Sequence, residues 1–158
     1  MKNLTNIFLL FFVTTAASIV YGEEGCTFIG DGIKEPQFSK GLVAKKIWDN
    51  QLKEYRAILR DGEMLFIAYS HCHHYGMQAS LILTKDEIYP KILSQRADWF
   101  ASIVLNKNDL EFFRKGIKDK ELGIGTNLTI DHDDYNDFGV RVTAQGALTI
   151  ITISYFFI

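Results

Sequence analysis

The chain has 158 residues, 17 of them Lys or Arg and 19 of them Asp or Glu, so its formal net charge is −2. This length suits one domain. The mild acidic balance argues against nucleic-acid binding, which needs a basic stripe, and against a polybasic protein of the membrane surface. A hydrophobic content of 47%, with only 2 prolines, supplies a packed core and argues against disorder.

Residues 1–22 have the layout of a secretory signal peptide. Lys2 precedes a short apolar run at 7–13, and small residues lead up to Gly22. The run is shorter than the ~20 residues of a membrane span. We therefore expect cleavage near Gly22, export to the periplasm or the medium, and one mature domain of residues 23–158 with a charge near −3. An uncleaved anchor is the alternative.

Two cysteines, Cys26 and Cys72, lie in the expected mature chain. An even cysteine count in an exported protein indicates a disulfide. Closing a loop of this length stabilises the fold by about 4 kcal/mol in the chain-entropy model. Two free thiols or a pair of metal ligands are the alternatives.

The first half of the expected domain predicts one helix and three strands. Ser39 can cap a short helix that ends at about Asn50. Tyr55, Ala57 and Leu59 then alternate with polar residues, and Asp61-Gly62 is a hairpin turn signal. The returning strand, 64–72, is apolar on both faces and should be central, and the third strand covers 77–84.

The second half predicts two helices and three further strands. A capping box at 84–87 precedes a helix that begins near Pro90 and ends at about Leu105, with Ile92, Leu93, Phe100, Ile103 and Val104 on one face. Asn108 is expected to cap the second helix, which ends near Gly123. The predicted strands then cover 128–130, 140–144 and 148–158.

These elements predict an α+β fold. The strands form a single antiparallel sheet of about six strands in two meanders, with two to three helices packed on one face and one disulfide. The final strand, 148–158, is apolar on both sides. It is therefore expected either to be central in the sheet or to be covered by a partner.

The densest polar cluster is Ser70-His71-Cys72-His73-His74-Tyr75. His71 and His73 would share one face of a strand and could bind zinc or copper, with His132 as a further candidate ligand. Neither HExxH nor paired cysteine spacing accompanies them. The alternative is a set of exposed, hydrogen-bonded residues at a strand end.

A second polar cluster follows a predicted strand and contains Asp131, Asp133, Asp134 and Asp137. Carboxylates suit calcium, but the spacing differs from that of the twelve-residue calcium loop. A solvated hairpin tip is the simpler interpretation, and such a tip can also enter the basic cleft of a partner.

No pattern predicts catalysis. The chain has neither a Gly-x-Ser-x-Gly elbow nor a phosphate-binding glycine loop. Cys72 is a poor candidate nucleophile, because neighbouring histidines on a strand diverge and a disulfide would remove the thiolate. We expect no enzymatic activity and no cofactor.

With Cys26 and the run Cys72-His73-His74-Tyr75-Gly76, the chain resembles small exported proteobacterial proteins. In size, export and disulfide it is similar to periplasmic inhibitor and immunity proteins. That resemblance implies a protein that binds and blocks a toxin or a cell-wall hydrolase. The expected contact surfaces are then the two polar clusters, with the following residues: His71, His73, His74, Tyr75, Asp131, Asp133, Asp134 and Asp137.

Two other functions stay open at this point. One is a periplasmic metal-binding protein that uses His71, His73 and His132. The other is a subunit of a homo-oligomer or larger assembly, joined through the apolar strand 148–158.

Overall fold

The computed structural model describes residues 35–39, 41–71, 75–83, 90–133 and 136–157. The expected signal peptide, both cysteines and the predicted capping box at 84–87 lie outside these residues. The described chain forms seven strands and two helices: β1 Val43–Asp49, β2 Glu54–Leu59, β3 Met64–His71, β4 Tyr75–Leu83, α1 Pro90–Val104, α2 Lys107–Ile117, β5 Asn127–Asp133, β6 Asn136–Gln145 and β7 Leu148–Phe157.

All seven strands pair antiparallel in one sheet of order β1-β2-β3-β4-β7-β6-β5. This confirms the predicted α+β class and the single sheet of two meanders, with seven strands in place of about six. The last strand, β7, lies between β4 and β6, and Leu81 pairs with Ile151. Of the two placements expected for this strand, the central one is therefore observed.

The core lies between one face of the sheet and the two helices. Buried side chains alternate along the inner strands, as Tyr55, Ala57 and Leu59 do in β2, so that they all fall on the same face. The helices cover this face with five buried residues: Leu93, Ala97, Phe100 and Ala101 of α1, and Phe113 of α2. Ile92 was expected on the buried face but is 42% exposed, so the prediction for this residue is wrong.

The β2–β3 hairpin forms as its turn sequence predicts. Gly62 has a φ of 89°, which favours glycine, and the Leu59 amide donates to the Glu63 carbonyl at 2.8 Å. The turn therefore fixes the register in which Ala57 pairs with Leu65.

The predicted helix from Ser39 to Asn50 is wrong, since this segment contains β1. The strand is at the edge of the sheet, and four consecutive residues, 44–47, are exposed. A register shift between Val43 and Lys45 also interrupts the alternation. Little period-two pattern is left, and the spacing of the apolar residues resembles that of a helix.

Helix α2 is shorter than predicted at its C-terminus and begins at a different cap. Asn106, two residues before the predicted Asn108, accepts hydrogen bonds from the amides of Asn108 and Asp109 at 3.0 and 3.1 Å. The helix ends at Ile117, because Lys118 is extended and Asp119 has a φ of 62°.

Helix α2 approaches β5 closely at Gly116. A Cβ atom at this position would lie 2.8 Å from Cδ1 of Ile130 and closer still to its Cγ2. Ile130 is 6% exposed and belongs to the core. Glycine at 116 therefore permits the contact between the helix and the strand.

Neither described helix is both long and apolar enough to cross a membrane.

Candidate binding surface at one end of the sheet

The histidine cluster lies at the tip of the β3–β4 hairpin. His71 ends β3 and pairs with Tyr75, the first residue of β4. Cys72, His73 and His74 connect the two and lie outside the described residues, as does Cys26. The predicted disulfide therefore stays a prediction.

The aspartate cluster lies at the tip of the β5–β6 hairpin. Asp131 pairs with Asp137, and Asp133 pairs with Asn136. A register shift between Asp131 and Asp133 leaves His132 at an irregular position of β5. Asp134 lies outside the described residues.

The pairing of the strands brings these two tips to the same end of the sheet. A continuous row runs from Ser70 in β3 through Gly76, Phe156 and Asp137 to Asp131 in β5. Only β7 separates β4 from β6, so the two hairpins lie about 10 Å apart, two strand spacings. We call the strand ends that meet here the acidic end of the sheet: residues 70–71, 75–76, 131–133, 136–137 and 156–157.

The charge at this end is negative. Between residues 127 and 141 the sequence has four aspartates and only one Lys or Arg residue, Arg141. Arg141 lies away from the tip, where its Nε contacts Oδ1 of Asn127 at 3.5 Å. Asp137, at the tip, is half-buried. The sequence of this hairpin therefore carries net negative charge.

The predicted metal ligands are not all brought together. β3, with His71, and β5, with His132, are four strand spacings apart, or about 19 Å. Metal ligands lie about 2 Å from the ion, so this separation argues against one ion bound by both histidines. Among the residues whose placement is described, no cluster of three metal-binding side chains is found.

At the opposite end of the sheet, a polar cluster that the sequence did not indicate joins the β2–β3 hairpin to α1. Arg96 forms an ion pair with Glu63, lies 3.8 Å from the Asp61 carboxylate and stacks over the Trp99 ring at 4.3 Å. The Glu63 side chain is 4% exposed and that of Arg96 26%. Burial lowers the pKa of Arg96, although Asp61 opposes this. Glu63 and Arg96 are 33 residues apart, so no local sequence pattern reveals the pair.

Replacing Glu63 with Gln should lower the free energy of unfolding by about 1–2 kcal/mol, because the partly buried Arg96 guanidinium loses its closest carboxylate. Arg96 is partly exposed and Asp61 stays nearby, so the loss is smaller than for a fully buried ion pair. Urea unfolding measures this loss of stability. Asp61→Asn is the control, with an expected loss below about 0.5 kcal/mol, since Asp61 is 44% exposed. Equal losses would show that Glu63 does not hold the cluster.

The cluster at Arg96 holds α1 against the β2–β3 hairpin, whereas the acidic end is where two polar hairpins meet. Comparison of the chain with protein-family models, with curated proteins and with solved structures finds no match.

Proposed function

We propose that this protein is an exported binding protein of the inhibitor or immunity type, which blocks a toxin or a cell-wall hydrolase by covering its active site. The acidic end of the sheet is the proposed contact surface. The observation that supports it most is the continuous row from Ser70 to Asp131, which joins two polar clusters that are far apart in sequence. Under this proposal the protein has no chemistry of its own.

The physical properties of the acidic end suit such a contact. Hairpin tips on a rigid sheet are good recognition elements, because the strands fix their positions while the turns are free to vary. Their carboxylates would complement a basic cleft and accelerate association with it. A hydrolase that acts on acidic cell-wall polymers, or a cationic toxin, is a partner of matching charge.

The proposal is tested first by capture. The mature chain 23–158, purified from the periplasm, is used as bait for cell-envelope and secreted extracts, and bound proteins are identified by mass spectrometry. A stoichiometric hydrolase or toxin whose activity falls on binding would support the proposal. A bait that captures neither, from extracts in which such proteins are detected, would contradict it.

Charge reversal at the tip should weaken the captured complex. We expect Asp133→Lys with Asp134→Lys to raise the Kd by about 10- to 100-fold, mainly through slower association, and more at low salt than at high salt. The melting temperature should not fall, because both changes are at a hairpin tip. Surface plasmon resonance at two salt concentrations measures the effect.

The matched control reverses two charges elsewhere. Glu111 on α2 and Glu121 after it are both exposed, so Glu111→Lys with Glu121→Lys changes the net charge equally. This control should leave the Kd within about twofold. If both double variants weaken binding equally, only the net charge matters and the tip is not the contact surface.

A further inference from the structure

All four histidines of the chain belong to the two hairpins that meet at the acidic end of the sheet. His71 ends β3, and His73 and His74 are among the three residues that join it to Tyr75. His132 is in β5, on the second hairpin. The side chains that ordinarily gain a proton just below neutral pH are therefore gathered at one place in the fold.

The acidic end has as many aspartates as histidines. The aspartates all come from the β5–β6 hairpin, and they are Asp131, Asp133, Asp134 and Asp137. With neutral imidazoles, the two hairpin tips together carry four negative charges. With protonated imidazoles, the positive and negative charges of the tips cancel. The charge at this end of the sheet therefore depends on the protonation of the histidines.

The β1–β2 turn lies beside the β3–β4 hairpin but adds no net charge to it. The Tyr69 amide, two residues before His71, donates to the Lys53 carbonyl at 3.2 Å. The charged residues of this turn and of its flanking strand ends are Asp49, Lys53, Glu54 and Arg56. Two are acidic and two are basic, and Glu54 and Arg56 form an ion pair. β4 and β7, which lie between the two tips, contain no charged residue.

The helices that pack on β5 and β7 carry charges of other kinds. They are Lys91, Arg96 and Asp98 on α1, and Lys107, Asp109, Glu111, Arg114 and Lys115 on α2. Arg96 is paired with Glu63 at the opposite end of the sheet, and Arg114 is paired with Asp98. Carboxylate, ammonium and guanidinium groups ordinarily keep their charge between about pH 5.5 and 7.5, whereas imidazole gains a proton as the pH falls. The histidines are therefore the groups that make this end of the sheet respond to pH.

We propose that the acidic end of the sheet is a pH switch, which binds a cationic partner at neutral pH and releases it when the histidines are protonated. The inference rests on the proposed function, because it assigns a regulation to the same contact surface. Loss of the negative charge removes the complementarity to a basic cleft, which slows association and weakens the complex. The two hairpins are about 10 Å apart, close to the Debye length at physiological salt, so a partner that covers this end responds to the charges of both.

The test measures binding of a decalysine peptide, as the cationic probe, to the mature chain at low salt. Isothermal titration calorimetry at pH 7.5 and at pH 5.5 should give a Kd about tenfold higher at the lower pH. A variant with all four histidines replaced by Gln should change its Kd less than about twofold over this range, because its tips keep their negative charge. The control, Glu111→Gln with Glu121→Gln, removes two exposed carboxylates elsewhere and should keep the tenfold change. Melting temperatures at both pH values confirm that each variant is folded.

An NMR titration of the imidazole signals tests the switch without any partner. The four histidines should gain their protons between about pH 7.5 and 5.5, and histidines that stay neutral down to pH 5.5 would overturn the switch. A Kd that does not depend on pH, or a histidine-free variant that keeps the tenfold change, would overturn the switch alone. A peptide that does not bind even at pH 7.5 would contradict both the switch and the contact surface on which the proposed function depends.

Discussion

Replacing Phe100 with Ala is expected to lower the free energy of unfolding by about 3–5 kcal/mol, a large part of the roughly 5–15 kcal/mol that stabilises a domain. Phe100 is fully buried where α1 packs on the sheet. Its neighbours on the buried face of the helix, Ala97 and Ala101, are small and cannot fill the space of a lost ring. The cavity would persist, and the loss would include the missing contacts as well as the lost burial.

Ile92→Ala on the same helix is the control for this experiment. Ile92 is also a large apolar residue, but it is 42% exposed. We expect a loss below about 1 kcal/mol. Chemical denaturation, monitored by circular dichroism, compares the two variants. Similar losses would mean that the helix does not present Phe100 to the core, and the orientation of α1 would then be wrong.

Gly116→Val is expected to lower the free energy of unfolding by about 3 kcal/mol or more. Here the substitution overfills the core, whereas Phe100→Ala leaves a cavity in it. Its Cβ would overlap Ile130, whose nearest atoms adjoin the branched Cβ and cannot rotate away freely. Helix α2 would have to move away from β5, and Phe113 on the same helix would lose core contacts. Gly116→Ala should cost about 1–2 kcal/mol, although alanine in a helix interior usually stabilises by up to ~1 kcal/mol.

Gly123 provides the comparison for this series. A Cβ at Gly123 has no neighbour within 4 Å, and its φ is not in the left-handed region. Gly123→Ala should therefore change the free energy of unfolding by less than about 0.5 kcal/mol. Thermal unfolding of Gly116→Val, Gly116→Ala and Gly123→Ala measures these three changes in stability. Stabilisation by Gly116→Ala would show that α2 and β5 are farther apart than the structure has them.

The hairpins and the helices were predictable because their signals are local. Tyr55, Ala57 and Leu59 alternate along β2, and Gly62 allows the tight turn. Pro90 starts α1 where a proline is tolerated in a helix. β1 was not predictable, because an edge strand has few buried residues and its register shift breaks the remaining alternation.

The residues of the candidate surface were visible as two polar clusters, but their proximity was not. His71 and Asp131 belong to different meanders, and only the insertion of β7 between β4 and β6 aligns the tips. No local pattern encodes that pairing. A cavity of about 320 Å³ between β1 and residues 36–39 was not predictable either, since it depends on the strand that was predicted to be a helix.

The central position of β7 also determines when the sheet can be completed during folding. β4 pairs with β7 through contacts such as Gly76 with Phe156, about half of the chain apart in sequence, and every other strand pair is joined by a short or local connection. Until residues 148–157 have been synthesised, β4 and β6 each have one edge without a neighbouring strand, and their apolar faces are exposed. Non-local pairing of this kind is slow, so a partly made chain stays open and prone to association. We therefore expect that a chaperone which binds the incomplete sheet would reduce aggregation of this chain until its last strand is available.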